Sequence, residues 1–135
     1  MTRLLTHPLF YTYYRHAPVP LRQLAANLLP SLLPKPLVRT ANLPSFARVT
    51  VTAQPRRRMV HVLAYVPERR GEQTDMIEEP VELRDVTVEL RLGGRQPGRV
   101  YLAPHNTSLP FTVVRGYLRV TLTVVPGPAM VVVEE

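Results

Sequence analysis

The run Arg58-Met-Val-His-Val-Leu-Ala-Tyr-Val66 limits the folds open to this chain more than any other stretch. Seven of its last eight residues are apolar or aromatic. In an extended backbone, Met59, His61, Leu63 and Tyr65 point one way, and Val60, Val62, Ala64 and Val66 the other. Both faces need cover, which marks a strand inside a sheet rather than at its edge.

The rest of the chain supplies partners for it. Val49, Val51 and Ala53 alternate with Thr50, Thr52 and Gln54. Pro55-Arg56-Arg57 then turns the chain into the central run, so the two form a hairpin. Val86, Val88, Leu90 and Leu92 alternate with Asp85, Thr87, Glu89 and Arg91. Residues 99–102 make a short strand. Residues 109–114 carry Pro110 and belong at an edge, because proline cannot donate to a ladder. After the Arg115-Gly116 turn, Leu118, Val120, Leu122 and Val124 face inward. Residues 129–133 close the sheet. These seven runs, with no helical pattern after residue 37, predict an all-β fold. It is an antiparallel β-sandwich of about seven strands with Greek-key connections.

Residues 1–42 read differently, as an aromatic and helical arm or the remnant of a preceding domain, leaving 43–135 for the sandwich. Phe10-Tyr-Thr-Tyr13-Tyr14, between Pro8 and Pro18, makes one or two helical turns. From Pro20 onward, Leu21, Leu24, Ala25, Leu28 and Leu29 follow the spacing of one helix face, until Pro30 breaks the register. A helix this short does not hold by itself. Phe10, Tyr14, Leu24, Leu28 and Leu29 are therefore candidates for docking, on the sandwich, on another domain, or on a second copy of the chain.

Charge is unevenly spread. Residues 1–70 hold eleven basic residues and one acid, and residues 71–135 hold six basic residues and nine acids. The basic residues are almost all Arg and scattered, which argues against a nucleic-acid interface. Arg56, Arg57, Arg58, Arg69 and Arg70 are the two clusters that would carry a nucleic-acid or acidic-partner role. With no Cys in the chain, disulfides, thiolate catalysis and Cys-type zinc sites are excluded. None of His7, His16, His61 and His105 stands at metal-ligand spacing. Glu78, Glu79, Glu82 and Asp85 lie in or beside a charged loop, with no apolar pocket to raise one pKa. No catalytic residue, metal or cofactor is expected. The first residues lack the apolar core of an export signal, and prolines and charges interrupt the Leu-rich run, so a cytoplasmic chain with no membrane span is the expectation. A carbohydrate contact would use Tyr101 and Tyr117, on outward faces, with His105 in its polar loop.

The order of these motifs resembles a known arrangement. Phe10-x-x-Tyr13-Tyr14, the helix from Leu21 to Leu29, Val60-His-Val-Leu-Ala-Tyr65, Ile77-Glu-Glu-Pro80 and Val100-Tyr-Leu-Ala-Pro104 follow one another. So do Leu109-Pro-Phe111, Gly116-Tyr117 and Ala129-Met-Val-Val-Val133. This is similar to the C-terminal β-sandwich of bacterial multidomain glycoside hydrolases, of the β-galactosidase and α-L-fucosidase-like kind. The resemblance implies a catalytic barrel, and often a trimerisation domain, elsewhere in the parent protein. It implies that this chain is not itself an enzyme, since no residue here matches the catalytic motifs of the barrel. It implies a non-catalytic accessory domain that packs on the catalytic or trimerisation domain, with a carbohydrate-binding module as the alternative.

Overall fold

The computed structural model describes residues 8–135, so His7 lies outside the described residues. The chain divides into two compact units, with the division between Pro36 and Leu37.

The first unit holds two helices in mutual contact, α1 (Leu9–His16) and α2 (Val19–Leu32). Arg15 and His16 place basic groups at the negative end of α1. Ala17, at φ 44°, ends that helix with its N–H on the Tyr13 carbonyl at 2.7 Å. Pro20 sits in the first turn of α2, where a missing N–H costs nothing. Pro30 does not stop α2, which runs on for two more residues to Leu32. The proline lies in the last turn, where the loss is confined to a single bond. The Leu33 N–H reaches the Leu29 carbonyl, and the Ser31 hydroxyl donates to the Leu28 carbonyl at 2.7 Å.

The second unit is an antiparallel β-sandwich. Its strands are β1 (Val38–Ala41), β2 (Arg48–Gln54), β3 (Arg57–Leu63), β4 (Glu68–Arg69), β5 (Asp75–Met76) and β6 (Glu82–Arg91). They continue with β7 (Arg99–Ala103), β8 (Thr107–Ser108), β9 (Phe111–Val114), β10 (Tyr117–Pro126) and β11 (Pro128–Glu134). One sheet runs β1-β6-β10-β9 and the other β2-β3-β11-β7-β8, while β4 and β5 form a small separate ribbon. The connections cross repeatedly between the sheets. The shortest is Gly127 alone, at φ 83°, which carries the chain from β10 in one sheet to β11 in the other.

Residues 58–63 of the 58–66 run form the interior strand its composition requires, while Ala64, Tyr65 and Val66 lie past the strand's end. β3 lies between β2 and β11, with Val60 opposite Val51 and Val131. Val60, Val62, Val86, Val88, Leu90, Leu118, Val120 and Val131 are the centre of one buried cluster shared by both sheets. β9, which follows Pro110, is an edge strand. The sequence boundary at residue 42 was placed too late. Val38 to Ala41 pair with Leu90 to Thr87 on β6 and belong to the sandwich. Four alternating residues just after Pro34 and Pro36 are too short a pattern to separate from a linker.

Candidate functional site

The two tyrosines expected to face solvent do point away from the core, each on a different sheet. They are nonetheless buried, at 7% exposure for Tyr101 and 5% for Tyr117. Each ring is covered by an arginine. The Arg99 guanidinium stands 4.6 Å from the Tyr101 centroid and that of Arg39 4.2 Å from Tyr117. The expectation of open stacking platforms is corrected by that packing, from Arg99 on the same strand as Tyr101 and from Arg39 two strands away from Tyr117. His105 is exposed in the turn between β7 and β8. Since Tyr101 and Tyr117 lie on opposite outer faces, these three residues do not form one site.

The arginine clusters are dismantled in a similar way. Arg58 follows the parity of Val60 and Val62, so it points inward and is buried. It donates to Glu135 Oε1 at 2.5 Å and to the Arg91 carbonyl at 2.6 Å, linking β3 to the end of β6. Arg95 binds the other Glu135 oxygen at 2.5 Å. Burial would raise the Glu135 carboxyl pKa, but the hydrogen bonds from Arg95 and Arg58 outweigh it and hold the group below its ordinary 4.5. This is a structural clasp at one end of the sandwich, not a free cation. Arg69 pairs with Asp75, and Arg70 with Glu68 and Glu78, within the β4–β5 ribbon. Arg57 donates to Gln54. Only Arg56, at the hairpin tip, keeps the character of the basic patch.

The acids near residue 80 have also found partners: Glu78 takes Arg70, and Glu82 takes Arg84. No group of three His, Cys, Asp or Glu residues among the described residues is arranged to hold a metal ion. No helix among them is long and apolar enough to cross a membrane. His61 accepts its expected modest role, hydrogen-bonded to Thr52 at 3.0 Å on the outer face of β3.

The arm residues are more open than a packed helix pair requires. Phe10 is 76% exposed and Tyr14 88%, and Leu24 and Leu29 are exposed as well. Leu28 is half-buried.

One further feature escaped the sequence reading. At the end of the sandwich away from the Arg58 clasp, a depression of about 520 Å³ is lined by Ser45, Phe46, Ala47, Arg48, Leu63, Tyr65, Pro67 and Ile77. The turn before β2, the end of β3 and the β4–β5 ribbon each contribute a wall. Two signals were available: an aromatic set in the Pro44-Ser-Phe-Ala turn, and Tyr65 on the outward parity of β3 just past its end.

Comparison with solved structures finds a close likeness. A chain of α-L-fucosidase isoenzyme 2 from Paenibacillus thiaminolyticus superposes with a TM-score of 0.85 and 31% identity, over 93% of this chain. The chain is similar to part of a bacterial glycosidase. It spans only 19% of that fucosidase chain. The resemblance read from the motifs, to a C-terminal β-sandwich of glycoside hydrolases, agrees with this match. A cycloisomaltooligosaccharide glucanotransferase from a Paenibacillus species, complexed with cycloisomaltoheptaose, is a fainter match. It has 17% identity and a TM-score of 0.48, over 69% of this chain and 17% of that one, too faint to carry an argument. No family model matches the sequence, and no curated protein does.

Proposed function

We propose that this chain is a non-catalytic accessory domain of a glycoside hydrolase, which packs on a catalytic or trimerisation domain and stabilises or positions it. The observation that carries this reading is the exposed aromatic and leucine face of α1 and α2, in a chain similar to one-fifth of a glycosidase. An apolar surface of that kind on a small unit is costly in water and is normally covered by another surface. Phe10, Tyr14, Leu24 and Leu29 would supply the contact, together with the half-buried Leu28.

The reading predicts no hydrolysis of aryl α-L-fucosides or β-D-galactosides by the chain alone. It also predicts that the chain binds a hydrophobic dye, and that Phe10→Ser, Tyr14→Ser, Leu24→Gln and Leu29→Gln together abolish the binding. Turnover of either glycoside, or dye binding unchanged by the four substitutions, would refute it.

A further inference from the structure

We infer that the depression beside Phe46 is a sugar-binding subsite that accepts a neutral pyranoside. The inference goes beyond the docking role of the arm and does not depend on it.

The aromatic residues of the sandwich carry the argument. There are five after residue 37: Phe46, Tyr65, Tyr101, Phe111 and Tyr117. Tyr101 and Tyr117 are sealed beneath arginines, and Phe111 packs against the core. That leaves Phe46, which is exposed, and Tyr65, which is half-buried. Both line the same depression. Its volume of about 520 Å³ falls within the range of about 300–1,000 Å³ usual for small-ligand sites.

A pyranose ring is amphiphilic. Its axial C–H face seeks an apolar or aromatic wall, and its equatorial hydroxyls seek donors and acceptors. Phe46, Leu63, Tyr65 and Ile77 supply the wall. Arg48 and Ser45 supply the polar partners, the guanidinium fork being suited to a pair of neighbouring oxygens. Arg48 enters no ion pair among the described residues, unlike Arg58, Arg69, Arg70, Arg84, Arg95 and Arg119.

Tyr65 is held in place before any ligand arrives. A Cβ at Gly127 would fall 2.9 Å from Pro80 Cβ and 3.1 Å from Tyr65 Cε1, so ring, proline and glycine are in close contact. A wall fixed in advance loses little freedom on binding, which favours affinity. The site is small and shallow, so weak binding in the millimolar range is expected for a monosaccharide.

The test is a titration of the intact chain with methyl α-L-fucopyranoside and with methyl β-D-galactopyranoside, followed by amide NMR shifts. The expected result is a saturable shift, with at least one of the sugars, centred on residues 45–48, 63–65 and 77. Phe46→Ala and Arg48→Ala should each weaken it about tenfold. Arg48 is exposed at the start of β2, so its variant keeps the fold, and an unchanged spectrum elsewhere verifies this. No shift at these amides with either sugar would overturn the inference, as would equal affinity in both variants. Shifts there with a hydrophobic dye but with neither sugar would also overturn it, marking an apolar docking patch instead.

Discussion

Two glycines show how differently one residue type is used here. Gly116 has φ 80° and no atom within 4 Å of where a Cβ would lie, so only its backbone conformation needs glycine. Gly127 has φ 83° and, in addition, no room for a Cβ. Gly116→Ala should therefore cost about 1 kcal/mol of unfolding free energy, and Gly127→Ala clearly more, in denaturant titrations of each variant. Glu135 carries a pH dependence. Its pKa is lowered on folding, so its stabilising effect is complete above 4.5 and is lost as pH falls through the folded value. Glu135→Gln should lower stability at neutral pH, because it leaves the buried Arg58 guanidinium without its counter-charge. Below pH 4.5 the stabilities of variant and parent should converge.

At the scale of elements, the strands were legible because period-two alternation is a local property. Val86 to Leu92 and Leu118 to Leu122 announce their faces without reference to anything else. Val124, expected to face inward, is instead 40% exposed and Val125 is buried in its place, because the alternation shifts by one residue after Leu122. The inward turn of Arg58 was legible too, since it shares the parity of Val60 and Val62, but its place beside two other arginines suggested a surface patch. The shielding of Tyr117 was not legible, because it needs Arg39 and Tyr117 to meet across β1, β6 and β10, strands distant in sequence. The partner of Tyr101 is local, since Arg99 lies two residues along the same strand and so on the same face. The depression beside Phe46 joins three separated segments, so the sequence shows its two aromatic residues but not their meeting. The inward faces of the long strands should dominate stability. Leu118→Ala, at a fully buried site, should cost about 3 kcal/mol, whereas Val124→Ala, at 40% exposure, should cost under about 1 kcal/mol. Thermal or denaturant unfolding of the two variants distinguishes them.

For the whole molecule, the contrast between the two units is the main fact. The sandwich has a continuous valine and leucine core, closed at one end by the Arg58–Glu135–Arg95 clasp. Among its described residues the helical unit has no comparable core, and α2 buries none of its residues fully. The docking role proposed above rests on this contrast and on the exposed apolar residues of the helices. Similarity to one-fifth of a glycosidase supports the same reading. The most direct measurement is light scattering of the purified chain across a wide concentration range, beside the variant with Phe10→Ser, Tyr14→Ser, Leu24→Gln and Leu29→Gln. The account predicts that the parent associates as concentration rises, through the uncovered face, and that the variant stays a folded monomer. A parent that remains monomeric at every concentration, and is indistinguishable from the variant, would contradict it.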